Sequence, residues 1–65
     1  MKYPAPALAK GIRALRTLIG IGPLNLETLA EETDIPKASL YRIMQTLVGI
    51  NLAGRHPETK EYRSL

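Results

Sequence analysis

Residues 29–47 read LAEETDIPKASLYRIMQTL. Leu29 and Ala30 close an amphipathic helical stretch that Asp34 stops, and Pro36 stands at a favoured first-turn position for a new helix. Two short helices joined by a tight turn at Asp34-Ile35-Pro36 make a helix-turn-helix, a motif whose second helix enters the DNA major groove. At about 100° per residue, Leu40, Ile43, Met44 and Leu47 share one face of that second helix. The centre of the opposite face holds Ala38, Arg42 and Gln45, with Tyr41 beside them. Gly49 is expected to close the helix.

Upstream, Asn25 is the expected N-cap of the first helix of the pair, with Glu27 in its first turn favouring the positive end of the dipole. Leu26, Leu29 and Ala30 should face inward. Pro4 and Pro6 keep the first residues extended, and a preceding helix can begin near Pro6. Leu8, Ile12, Leu15 and Ile19 recur at helical spacing and predict one apolar stripe, with Lys10, Arg13 and Thr17 opposite. With Ala5, Ala9 and Leu18 beside it, this stripe offers more apolar surface than one small core needs, and so a contact for a second copy. Burial is expected above all for Leu15 and Ile19. Gly20, Gly22 and Pro23 end this helix. After Gly49 the period changes. Leu52, the turn residues His56-Pro57-Glu58-Thr59-Lys60, and Tyr62 predict two short strands joined by a loop. Three helices and then a hairpin give a mostly α chain with a small β-hairpin, a winged helix-turn-helix occupying residues 1–65 as a single domain.

Size and composition narrow the alternatives. A domain of 65 residues buries only about 60% of its unfolded surface, so its stability is marginal. There is no cysteine to form a disulfide or a thiolate metal site, in keeping with a reducing cytoplasm. The net charge of +3 and a pI near 9.6 make nucleic acid the first partner to consider. No apolar run approaches the roughly 20 residues that span a bilayer, and MKYPAPA at the start lacks the apolar core of a secretory signal. His56 is the only histidine and has no partner at metal spacing, so it reads as a turn residue with no metal bound. There is no Ser-His-Asp arrangement and no glycine-rich phosphate loop, so neither an enzyme activity nor a cofactor is expected.

Three segments in this order, ALAKGIRAL (7–15), PLNLETLAEETDIPKASLYRIMQTL (23–47) and HPETKEYR (56–63), resemble the N-terminal DNA-binding domain of the IclR family of bacterial transcription regulators. The resemblance implies sequence-specific binding of double-stranded DNA. It also implies dimers formed through the first helix and the segment before it, and a C-terminal domain, absent from this chain, through which alone a small-molecule effector would act. The chain departs from the family's pattern at Ala38-Ser39, where a Ser-Thr pair is common. It departs again at Lys60, where the wing tip usually has glycine, and at Ser64-Leu65.

The residues expected to meet DNA follow from their places. Arg42 can donate two hydrogen bonds to guanine O6 and N7, and Gln45 can pair with adenine or reach phosphate. Lys37 and Ser39 stand in the first turn of the third helix, where free N–H groups and the dipole favour phosphate. Ala38 can touch a thymine methyl. Tyr41 can offer its hydroxyl to phosphate while its ring packs. Thr28 can reach phosphate from the second helix, and Arg55, Lys60 and Arg63 from the wing. Glu27, Glu31, Glu32 and Asp34 form an acidic side turned away from DNA.

Two other readings compete. A winged helix can serve as a protein-interaction module without DNA, since fold does not settle function, but the polar face around Arg42 and Gln45 favours DNA. A basic amphipathic first helix could lie on a membrane, which ranks last because its apolar face is expected to serve the core.

Overall fold

The computed structural model describes residues 4–65. The elements run α1 (Pro6–Ile21), α2 (Leu26–Thr33), α3 (Lys37–Gly49), β1 (Ala53–Arg55) and β2 (Tyr62–Ser64). This is the winged helix-turn-helix that the sequence predicts. The extended start expected ahead of Pro4 concerns residues 1–3, which lie outside the described residues.

Pro6 is the first residue of α1, where its missing N–H costs nothing, and the Ala5 carbonyl accepts from Ala9 N–H at 3.1 Å. The helix stops at Gly22, whose φ of 107° and ψ of −163° are open to glycine alone. Between these ends the expected core stripe is corrected. The buried residues of α1 are Gly11, Ala14 and Leu18, and Leu15 packs partly against them. Leu8, Ile12 and Ile19 are 63%, 49% and 65% exposed. Gly11, Ala14, Leu15 and Leu18 satisfy the helical period as well as the larger residues do. Their small members let the α1 backbone approach α3, where a Cβ placed on Gly11 would lie 3.6 Å from Ile43 Cγ2. The bulkier side chains one step round the helix therefore stay in solvent.

The side-chain oxygen of Asn25 caps α2 as expected, accepting from Thr28 N–H at 2.8 Å. At the other end Asp34 takes a left-handed conformation (φ 56°, ψ 34°). Ile35, within the turn, is only 2% exposed and belongs to the core. Pro36 is the N-cap of α3, one residue earlier than the first-turn position expected of it. Leu40, Met44 and Leu47 are buried, with Ile43 partly so, as the periodicity predicts. The helix α3 ends where expected. Gly49 is the last helical residue, and the left-handed position falls to Asn51 (φ 65°). Leu52 N–H donates to Leu47 O at 2.9 Å and Asn51 N–H to Val48 O at 3.1 Å. This is a Schellman ending, and asparagine is among the few non-glycine residues that accept its left-handed position.

The wing pairs Ala53 with Ser64, Gly54 with Arg63 and Arg55 with Tyr62, antiparallel. Leu52 lies just before β1 and not in it. A third segment joins the sheet: Leu24 and Tyr62 exchange backbone hydrogen bonds of 3.0 and 2.8 Å. The core draws on every part of the chain: Ala14 and Leu18 from α1, Leu29 from α2, Ile35 from the turn, Leu40, Met44 and Leu47 from α3, and Ala53 and Tyr62 from the wing. Among the described residues, every buried side-chain N or O atom has a hydrogen-bond partner, and no helix is long and apolar enough to cross a membrane.

The space beside Gly11 yields the first prediction. A methyl group there meets Ile43 at ordinary contact distance, and alanine is favoured over glycine in a helix interior by about 1 kcal/mol. Gly11→Ala should raise the urea midpoint of unfolding at unchanged slope. A lower midpoint would show that α1 and α3 approach more closely than this.

Candidate nucleic-acid interface

Helix α3 presents Lys37, Ala38, Tyr41, Arg42 and Gln45 to solvent, with Ser39 half-buried. The face is polar because the apolar residues of α3 are spent on the other side, and it is unobstructed because α1 and the wing pack at its edges. No side chain caps the start of α3, so the first-turn N–H groups of Lys37, Ala38 and Ser39 remain free to meet an anion. In α2, by contrast, Asn25 takes one of these donors.

Two clefts flank the outer face. On the wing side, Tyr41 and Gln45 come together with Arg55 and Tyr62. Gln45 Nε2 donates to the Tyr41 hydroxyl at 3.2 Å, one turn back along the helix. The Arg55 guanidinium lies 5.8 Å from the centre of the Tyr62 ring, a cation–π contact worth about 0.5–1 kcal/mol at an exposed site. Stacking on a ring leaves the in-plane N–H groups of an arginine available to a further acceptor. On the other side, Arg42 and Ser39 share a cleft with Ala7, Lys10 and Thr46.

The three basic wing residues do not act as one patch. Strand residues alternate in direction, and Arg55 and the buried Tyr62 are cross-strand partners on the face toward α3. Arg63 takes the opposite face, where its side chain lies across Gly54, with Nε 3.3 Å from the position of a Cβ there. Lys60 sits in the loop. Thr28 is half-buried in the first turn of α2 and lines neither cleft. Glu27, Glu31, Glu32 and Asp34 are all exposed on α2 and its end.

The loop is built around His56. Its Nδ1 accepts from Glu58 N–H and Thr59 N–H, each at 3.1 Å. Its backbone carbonyl accepts from Lys60 N–H at 2.9 Å, and its N–H donates to Glu61 O at 2.8 Å. His56 is thus a turn residue, as expected. Among the described residues no group of three His, Asp or Glu side chains could hold a metal ion. Lys60 has φ 66°. The position therefore has the left-handed backbone that suits glycine, while the chain supplies lysine.

Sequence reasoning missed Lys10 and Thr46 as neighbours of Arg42, and Leu24 as a partner of the wing. The place of Lys10 depends on how α1 crosses α3, which no local pattern encodes, whereas Thr46 stands one turn after Arg42 on the same helix and was legible from the helical period. For Leu24, the extended Pro23-Leu24 pair before a helix cap was a usable but weak signal.

The family model described as the IclR helix-turn-helix domain matches residues 7–57. The crystal structure of HmgR from Pseudomonas aeruginosa is similar to this chain, with 26% identity over 92% of it and a TM-score of 0.80. The chain spans 25% of the length of that protein. No curated protein matches it by sequence.

Lys60 gives the second prediction. A left-handed non-glycine residue costs roughly 1–2 kcal/mol, and the extra unfolded freedom of glycine takes back about 0.5–1 kcal/mol. Lys60→Gly should therefore stabilise the domain by somewhat under about 1 kcal/mol, a rise of a few degrees in Tm. Lys60→Ala should give no such gain. Equal behaviour of the two variants would mean that the loop does not hold this conformation.

Proposed function

The chain belongs to the IclR helix-turn-helix domain family, a DNA-binding family of transcription regulation, and from that membership we infer how it reads DNA. Helix α3 enters the major groove of a specific duplex, Arg42 reads a base, and the wing holds the backbone or the minor groove. The observation that carries this reading is the outer face of α3: exposed, polar, uncapped at its start, and flanked by cations from other elements.

Each side chain has a distinct part in the proposal. Arg42, at the centre of the face, donates to a guanine edge. Gln45, steadied by Tyr41, offers its amide to a neighbouring base, and Ala38 leaves room for a thymine methyl. Lys37 and Ser39 bring the start of α3 to a phosphate. Arg55, held over Tyr62, meets the backbone beside the groove, and Lys60 reaches it from the loop. Arg63 and Thr28 have weaker support, because Arg63 faces away from α3 and Thr28 lines neither cleft. The module binds and orients, and the proposal assigns it no reaction and no cofactor. It works in the cytoplasm as one domain of a regulator in which a small-molecule effector acts only through a C-terminal domain outside these residues.

Dimerisation is part of the proposal. One α3 covers few base pairs, and helix-turn-helix proteins gain selectivity by placing two copies on half-sites about 34–36 Å apart or a multiple of that. A groove of about 280 Å³ between α1 and the end of α3 supports a contact there. It is lined almost wholly by apolar side chains, among them Leu8, Ile12, Leu15, Ile50 and Leu52. Leu8 and Ile12 among them are part of the predicted α1 stripe that the core leaves free.

Selection of bound sites from random duplex DNA tests the whole reading. An enriched two-fold sequence is expected; the absence of enrichment would leave a protein-interaction module as the better description. Within this reading, Arg42→Ala should weaken binding to the selected site by about 1–3 kcal/mol, with a much smaller loss on random duplex. Equal losses on both would make Arg42 a phosphate contact.

Sedimentation of the chain with a duplex carrying two half-sites should show two protomers per duplex, and Ile12→Glu should reduce this to independent, weaker binding. A single protomer at saturating protein would rule out the dimer.

A further inference from the structure

We infer that Lys10 of α1 is an additional DNA-phosphate contact, placed on the wall of the major groove away from the wing. The inference rests on the DNA-binding reading above and extends it to an element outside the helix-turn-helix and wing.

The cleft on the far side of α3 from the wing is lined by Ala7 and Lys10 of α1 and by Ser39, Arg42, Ile43 and Thr46 of α3. It holds two cations, Lys10 and Arg42, and its lining includes no carboxylate. Lys10 is half-buried while Arg42 is exposed. Such half-burial fits a lysine whose aliphatic stem lies against a partly apolar wall with its ammonium at the edge. Thr46 Oγ1 donates to the Arg42 carbonyl at 3.2 Å, so the Thr46 hydroxyl is partly engaged by its own helix. Two like charges brought to one open cleft repel each other in the free protein, and a polyanion at that place removes the repulsion. Nothing acidic stands in the first turn of α1 to oppose an anion there.

Geometry selects a phosphate over a base edge. An α-helix with its side chains is about 10–12 Å across, and the major groove is about 12 Å wide. A helix seated in the groove has a phosphate wall on each side. Arg55 stands on one flank of α3, beside Tyr41 and Gln45. Lys10 stands on the other, beside Arg42. Each cation comes from a different element packed against α3, so the two together bracket the helix and fix its depth and rotation in the groove. Base-reading residues depend on that register, although a phosphate contact carries no sequence information itself.

The experiment is a titration of the intact chain with its selected duplex and with random duplex over a range of KCl, for wild type, Lys10→Gln, Lys10→Arg and Arg16→Gln. Arg16 lies on the other side of α1, in a hollow shared with Glu32, and serves as the control. Lys10→Gln should raise Kd several-fold on both duplexes and make the salt dependence shallower by about 0.9, the amount for one lost phosphate contact. Lys10→Arg should restore both values, Arg16→Gln should change neither, and all four proteins should melt alike. A Lys10→Gln protein with unchanged affinity and slope overturns the inference while leaving the DNA reading intact. So does a loss that Lys10→Arg fails to rescue, which would indicate a packing role. Wild type that binds neither duplex in a salt-dependent manner overturns the DNA reading itself, and this inference with it.

Discussion

The turn at Asp34, Ile35 and Pro36 is the constraint on which the geometry of this domain depends. Asp34 reverses the chain in a left-handed conformation, a state that aspartate accepts better than most non-glycine residues. Pro36 fixes its own φ near −55° and keeps Ile35 out of the helical region. Ile35 is then driven into the core, where it meets the buried faces of α2 and α3. With both ends of the turn restricted and its centre buried, the angle between α2 and α3 has little freedom. From the other side, Arg13 Nη1 donates to the Thr33 carbonyl at 3.0 Å, while the buried Thr33 hydroxyl donates to Leu29 O at 2.7 Å. The last carbonyl of α2 is thus satisfied by a cation suited to the negative end of the helix dipole. The whole outer face of α3 inherits its orientation from this corner.

Helix α1 acts through its small residues. Gly11 and Ala14 let it lie close to its neighbours, and Leu18 fills the space that remains. The same close approach has two consequences at the surface. It sets Lys10 beside Arg42, and it leaves an apolar groove between Leu8 and Ile12 on α1 and Ile50 and Leu52 beyond α3. Packing that serves the core therefore also shapes a polar flank facing one way and an apolar flank facing another. The expectation that Ile19 joins Leu15 in the core fails for this reason. The apolar face of α1 is therefore shared between the core and the surface. The exposed Leu8, Ile12 and Ile19 call for a partner surface, and a second copy is the partner that the DNA-binding reading supplies.

The wing shows how a short hairpin sorts its charges. Three-residue strands leave room for little more than one inward and one outward position each. Tyr62 uses its inward position twice over, through a buried ring and a backbone pairing with Leu24. This ties the wing to the segment before α2, so the hairpin is not free to swing. Arg55 gains a fixed place over the same ring. Arg63, one residue along, is sent to the far face by the strand period alone.

The sequence by itself determined the three helices, the start of α1 at Pro6, the caps of α2 at Asn25 and Asp34, the buried face of α3 and the hairpin after it. Each of these is encoded by neighbours within a turn or two, where spacing and backbone preference act directly. It also singled out the outer face of α3, because the burial of Leu40, Met44 and Leu47 leaves Arg42 and Gln45 no other side. One local pattern fits two answers: on α1 the helical period is satisfied by Ile12 and Ile19 and equally by Gly11 and Ala14. Only the tertiary structure decided which α1 stripe is buried, that Ile35 and Leu24 are structural, that Arg55 and Arg63 part company, and that Lys10 stands beside Arg42. All of these depend on which surfaces meet across long sequence separations. That is settled by how closely backbones can approach and by the volume left to fill, quantities that no single helix or strand contains.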